Sequence, residues 1–275
     1  MTPPTPAGAG PPPGRTRIAL GLEYDGSRYH GWEAQRHTGL TVQATLERAL
    51  ARIADAPVRT VVAGRTDTGV HAAGQVVHFE TDAQRPARAW VLGTNSHLPA
   101  DVSVSWAQAV PADFHARFSA RWRAYRYLLM DRRARSALRA GRVCWRRYPL
   151  DHGRMHAAAQ ALVGEHDFSA FRGADCQAHS PIRQVQWLRV RRRGELVIVD
   201  IRANAFLHHM VRNIVGSLLP IGEGSRPAGW LGEVLAARDR RAAGVTAPAA
   251  GLYLVAVGYP DHALPSRRPT VLGVF

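Results

Sequence analysis

The sequence predicts an α+β protein, with helices packed on antiparallel sheet in two similar α/β halves. Two observations carry this: short strand-like segments outnumber what a doubly wound parallel sheet would need, and hairpin patterns are interleaved with amphipathic helical ones. At 275 residues the chain can bury a substantial core as one large domain or two smaller ones. We expect a tail rich in Pro and Gly over residues 1–14, disordered because it has almost nothing to bury, then an N-terminal subdomain over 15–111. A C-terminal subdomain over 112–260 and a short tail over 261–275 complete the expected organisation.

The first half opens on a strand, Arg17 to Tyr24, followed by a turn-rich loop, YDGSRYHGW. Val42, Leu46, Ala49, Leu50 and Ile53 recur at helical spacing, which predicts a helix over Thr41 to Ala54 with Thr41 as its cap. A short strand at Arg59 to Ala63, the loop VAGRTDTGVH and a strand at Gln75 to Glu80 come next. A helix near Arg88 to Ser96 and a strand at Val102 to Val110 close this half.

The second half begins with SARWRAYRYLLM, Ser119 to Met130; as a strand it puts Arg121, Arg123, Tyr125 and Tyr127 on one face. A helix follows from Asp151, a capping residue, through Met155 and Leu162. Arg183 to Arg191 and Leu196 to Ala203 read as a hairpin around RRRGE, with VIVDI its most buried stretch. Helices at His208 to Leu219 and Trp230 to Arg238 and a last strand at Gly251 to Tyr259 finish the chain.

Composition narrows the function. All 36 basic residues are Arg, against 21 acidic ones, for a formal charge of +15. A polyanion is the expected partner, nucleic acid ahead of an anionic membrane surface. No apolar run reaches the ~18 residues of a spanning helix, and the N-terminus lacks the charged and apolar regions of a secretion signal, so the expected compartment is the cytoplasm. Cys144 and Cys176 have neither C-x-x-C spacing nor zinc-type His spacing, and read as packing residues.

Asp67-Thr68-Gly69 is good turn chemistry, and it is also the tripeptide that carries the carboxylate of aspartic proteases. A protease needs two such carboxylates sharing a proton, and this chain has one copy. Arg65 opposes that shared proton and suits a carboxylate kept charged, as a nucleophile must be. Alternating Arg and Tyr around Tyr125 suits either a solvated sheet face or one that stacks an unpaired base. Arg212 interrupts the apolar helix MVRNIVG and should have a carboxylate partner, for which Asp67 is a candidate. Neighbouring His208 and His209, read as helical, point about 100° apart and cannot ligate one metal from the same face. The run RVRRRGE reads as a solvated hairpin tip and a possible phosphate contact.

Six runs in order, YDGSRYHGW, AGRTDTGVHAAGQVVHF, DFHARFSARWRAYRY, DFSAFR, NAFLHHMVRNIVGS and GLYLV, make the chain resemble the tRNA pseudouridine synthase A family from about Arg17 to Tyr259. The resemblance implies the pseudouridine synthase fold, two similar α/β subdomains with mixed or antiparallel sheets forming a central sheet flanked by helices. It implies an isomerase that converts uridine to pseudouridine at positions 38 to 40 of the tRNA anticodon arm, as a homodimer, without metal or cofactor. Asp67 would be the catalytic carboxylate, Arg65 and Arg212 its ionic partners, Tyr125 the ring that stacks on the uracil, and Leu252 part of the pocket wall. Two positions depart from the family's usual pattern: Thr68 replaces an Ala, and Glu33 replaces a Gln and brings a negative charge near the RNA. A non-catalytic tRNA-binding or tRNA-folding protein is the alternative in which Asp67 is structural.

Overall fold

A computed structural model of the chain describes residues 14–34, 39–265, 271 and 273. The expected N-terminal tail therefore lies almost wholly outside the described residues, as does most of the C-terminal one. Contacts divide the chain into two compact units, one made of the residues up to Arg121 together with those from Leu254 onward, the other of Trp122–Tyr253. Sequence reading put the boundary at 111 and assigned the last strand to the second half; in the structure that strand enters the first unit at Leu254.

In the first unit, β1 (Thr16–Tyr24) leads through a single turn at Gly26–Arg28 to α1 (Val42–Ala54), then to β2 (Val61–Val62) and β3 (His71–Thr81). A helical segment, π-wound over Ala89–Gly93 and regular over α2 (Thr94–His97), precedes β4 (Val102–Ala109). Within this unit the strand order is β4-β1-β3-β10, the last being β10 (Leu252–Gly258), with β2 also on β3. Both β1–β3 and β1–β4 are antiparallel.

Thr41 caps α1 as expected, its hydroxyl accepting the Ala44 N–H at 3.3 Å. Val42, Leu46, Ala49 and Leu50 are buried. Glu47 is also buried on that helix, and its carboxylate accepts bonds from Thr60 N (2.8 Å), Thr60 Oγ1 (3.0 Å) and Gln43 Nε2 (2.9 Å). A buried charge satisfied in this way fixes α1 to the residues entering β2.

Beside β10, Phe114, Ala116 and Tyr259 form a second cluster of the same unit. There His78 takes the Ala116 N–H on Nδ1 at 3.1 Å, with the His115 ring 4.9 Å away. Burial, and then the neighbouring His115 and Arg17, push the His78 imidazolium down to about 3; burial lowers His115 too. The folded state thus holds a neutral imidazole that the unfolded chain protonates below about 6.5, so stability is lost as pH falls through that range toward about 3. His78→Asn, whose amide oxygen can take the same N–H, is expected to flatten part of that loss. Melting temperatures from neutral to mildly acidic pH check this, and an unchanged slope in the variant counts against it.

In the second unit, β5 (Trp122–Asp131) precedes β6 (Cys144–Arg146), α3 (His152–Ala159), β7 (Gly164–Asp167), β8 (Ile182–Arg193), β9 (Leu196–Ala203), α4 (Met210–Gly222) and α5 (Trp230–Ala237). The sheet runs β5-β9-β8-β7, antiparallel throughout, with β6 parallel to β5. The β8–β9 hairpin is the one expected, and β9 is its most buried strand. Its one acid, Asp200, meets Arg126 of β5 at 2.6 Å and Arg191 of β8 at 3.2 Å. Asp151 caps α3 by accepting the Arg154 N–H at 2.9 Å. Each unit thus combines helices with a mainly antiparallel sheet, which bears out the α+β class.

Candidate active site

Asp67 lies on the segment that joins β2 to β3, half-buried, between exposed Arg65 and exposed Thr68. Its carbonyl accepts the Val70 N–H at 3.1 Å, and Gly69 stands at φ 76°. Asp67 to Val70 is therefore a β-turn with glycine at the third position, where positive φ is needed. The turn reading of Asp-Thr-Gly is correct for the main chain. Because main-chain atoms close the turn, it does not define the work of the carboxylate.

A bed formed largely by the YDGSRYHGW run fixes this loop. Tyr24 shares a hydrogen bond with Thr66 Oγ1 at 2.8 Å, and Gln75 Nε2 donates to the Gly64 carbonyl at 2.8 Å and to Tyr24 Oη at 3.3 Å. Trp32 N donates to Thr66 O at 3.0 Å, and Gly69 N to Tyr29 O at 3.3 Å. Burial pushes the Tyr24 hydroxyl up to about 12. Tyr29 rises to about 12 as well, by burial and then by its bond to Asp101 at 2.7 Å. Both phenols stay protonated at neutral pH and keep their bonds.

Two glycines let the bed approach so closely. A Cβ on Gly26 would stand 2.0 Å from the Val70 carbonyl oxygen, and one on Gly31, already at φ 85°, would stand 2.9 Å from Thr66 O. Tyr24, Thr66, Gln75, Gly26 and Gly31 were not singled out from the sequence. All lie inside the motif runs, and the pairing of Tyr24 with Thr66 and Gln75, across 42 and 51 residues, is what a linear reading misses.

Arg65 Nη2 sits 2.6 Å from Glu33 Oε1, both side chains about half exposed. Glu33, read as a lone negative charge near RNA, is thus the ion-pair partner of Arg65. Thr68 makes no hydrogen bond with its hydroxyl among the described residues, so its replacement of Ala leaves the turn unaltered.

Tyr125, Arg212 and Leu252 belong to the second unit. Tyr125 stands on β5 opposite Ile201, half-buried, with Phe206 edge-on at 4.9 Å. The expected row of Arg and Tyr is shorter than the alternation suggested. Arg121 precedes β5, and Tyr127 is wholly buried with its hydroxyl donating to Pro248 O at 2.7 Å. Arg126, on the opposite face, is buried against Asp200. The row is short because the strand becomes covered on both faces toward its C-terminal end, leaving Arg123 and Tyr125 partly accessible.

Arg212 projects from α4, and its Nε donates to Ala247 O at 2.8 Å while its own carbonyl accepts the Ala247 N–H at 3.1 Å. Together with the Tyr127 bond to Pro248, this pins the segment that delivers Leu252, 6% exposed, at the start of β10. The two histidines differ from expectation. The helix starts at Met210, not His208, and His209 is a left-handed cap at φ 60°. Their rings do not diverge as helical neighbours would but stack at 3.8 Å.

Comparison with known proteins shows the family. The family model described as tRNA pseudouridine synthase matches residues 22–119 and 158–260. The chain is 57% identical over 255 residues to the tRNA pseudouridine synthase A of Pseudomonas aeruginosa, covering 92% of this chain and 90% of that protein. It is 56% identical over 253 residues to the Pseudoalteromonas atlantica protein of the same name, covering 92% and 96% respectively. The Escherichia fergusonii protein of that name is 56% identical over 246 residues, 90% of this chain and 91% of that one. The matched regions contain YDGSRYHGW and the loop that carries Asp67, and the chain belongs to the tRNA pseudouridine synthase family.

Proposed function

We propose that this chain isomerises uridine to pseudouridine at positions 38, 39 and 40 in the anticodon stem-loop of tRNA, with Asp67 as its catalytic carboxylate. The observation that carries the reading is Asp67 on a turn fixed from several sides, in a chain 57% identical to a tRNA pseudouridine synthase A. The reaction breaks the bond from N1 of uracil to C1′ of ribose and makes one from C5 to C1′. The proton on C5 is lost and N1 gains one, so nothing is oxidised or hydrolysed. The site must supply an ionised carboxylate, a closed pocket that keeps the detached base, and a group that takes the C5 proton.

Asp67 fills the first role, and by resemblance to the family Arg65 and Arg212 are assigned as its ionic partners. Tyr125 stacks on the uracil and Leu252 lines the pocket. A base in the anticodon stem must first leave its stack at a cost of a few kcal/mol, which stacking on Tyr125 offsets in part. The Arg-rich surface holds the tRNA body by phosphates and shape. The protein acts in the cytoplasm as a homodimer; among the described residues no helix is long and apolar enough to cross a membrane.

The direct test is release of tritium from tRNA labelled at C5 of uridine, because product and substrate have equal mass. Affinity for tRNA should also fall steeply with salt. Glu33 gives a finer prediction. Its pair with Arg65 is exposed on both sides and contributes little to stability, about 0–1 kcal/mol. Glu33→Gln removes a charge that RNA phosphates must oppose, and should tighten tRNA binding by about twofold to fivefold at low salt, less at high salt. Weaker binding by the variant in a salt titration would show that the pair positions Arg65 for RNA.

A further inference from the structure

Residues the proposed reaction leaves unassigned form a site in the second unit. β5 ends on Asp131 and the chain runs on through Arg132 and Arg133; past β6 it runs through Arg147, Tyr148 and Pro149. The parallel pairing of β5 with β6, continued by the bond from Arg132 N to Arg146 O at 3.1 Å, lays these two stretches side by side. They line an open cleft of about 520 Å³.

The cleft presents positive charge. Asp131 is the one acid in its lining, and its carboxylate is 2% exposed. Arg192 takes both oxygens at 2.8 and 2.6 Å, and Leu150 N donates at 2.7 Å. Arg132 is held by the carbonyls of Ala134 (2.6 Å) and Arg135 (3.1 Å), with a long contact to Glu195 at 3.4 Å. Arg133 and Arg147 are exposed and make no hydrogen bond or ion pair among the described residues. Tyr148 is 66% exposed, with the Arg147 guanidinium 5.8 Å from its ring centre.

Exposed arginines are commonly just solvated. Here, however, three guanidinium groups line a concave surface whose only acid is already neutralised, and a concave surface concentrates their field. The planar guanidinium matches a phosphate through paired hydrogen bonds, and an exposed phenol ring beside it offers a stacking surface. We infer that this cleft is a second RNA site, binding a phosphodiester of the tRNA on Arg133 and Arg147 with an unpaired base stacked on Tyr148. The inference rests on the reading above that tRNA is the substrate.

Equilibrium binding of whole tRNA over a range of salt tests it, using wild type, R133Q/R147Q, Tyr148→Ala and a control, R52Q/R88Q, which removes two exposed charges from the first unit. The R133Q/R147Q protein should bind about tenfold more weakly, with the slope of log affinity against log salt reduced by about 1 to 2. Tyr148→Ala should lose about fivefold or more with little change of slope. The control should stay within about twofold, since charges outside a site add only to the general field. Equal losses in R133Q/R147Q and the control would mean diffuse charge and overturn the site, as would affinities unchanged in both cleft variants. A wild type that binds tRNA but releases no tritium refutes the reaction and leaves the cleft to be judged by the binding series. A wild type that isomerises while the cleft variants bind as it does refutes the cleft alone.

Discussion

Asp67→Asn is expected to lower tritium release from tRNA labelled at C5 of uridine by about 10⁴-fold or more, the scale of removing a nucleophile from a preorganised site. Affinity for tRNA should stay within a few-fold of wild type. Asparagine has nearly the shape of aspartate, and the turn at Asp67 is closed by its carbonyl and the Val70 N–H, which the substitution does not touch. The bonds of Thr66 to Tyr24 and Trp32 are likewise independent of the carboxylate. What disappears is the carboxylate, the group proposed to attack base or sugar. Unaltered release by the variant would remove Asp67 from the chemistry. Binding without release in both proteins would favour a tRNA-binding or tRNA-folding protein in which Asp67 is structural. A melting curve run beside the assay separates either result from a loop that has collapsed.

Elements whose own side chains pay out a regular pattern were legible in the sequence. Helix α1 shows its apolar stripe and its Thr41 cap, and the β8–β9 hairpin shows alternation broken at a glycine that stands at φ 57°. Strands β6 and β7 were not legible. They are three and four residues long and exist because β5 and β8 offer them edges, not because of any pattern within them. The helical pattern of α4 extended back through His208, and only the left-handed conformation of His209 shows where it stops. Alternation correctly put Arg123, Tyr125 and Tyr127 on one face of β5 but could not reveal that both faces become covered, which makes Tyr127 a core residue and Arg126 a buried ion-pair partner. At the site, Asp67 and Arg65 stood out through their motif. The partner of Arg65 did not, since Glu33 lies 32 positions away and only the fold brings it to 2.6 Å.

Gly26→Ala is expected to damage both stability and catalysis, although Gly26 touches neither tRNA nor the carboxylate in any sequence-level account. The added Cβ would stand 2.0 Å from Val70 O and 2.6 Å from its carbonyl carbon, both main-chain atoms. Neither side can yield cheaply. Gly26 N donates to His71 Nδ1 at 3.1 Å and Gly26 O accepts the Tyr29 N–H at 3.0 Å, while Val70 N closes the Asp67 turn. Overpacking of this kind costs about 1–3 kcal/mol, which for a chain of this size lowers the melting temperature by about 2–10 °C. Relief by movement of Val70 is relief by movement of Asp67, three residues before it on the same turn. A displacement of about 1 Å at a reacting group costs about 10²-fold in rate. Turnover at saturating tRNA, measured well below the melting transition, should therefore fall by about that factor in protein that is still folded. Gly229→Ala is the control, because a Cβ there meets nothing within 4 Å. If Gly26→Ala melts early but turns over normally when cold, the YDGSRYHGW run supports the fold without setting the position of Asp67. If turnover falls while the fold persists, the closeness of these two backbones is itself part of the catalytic geometry.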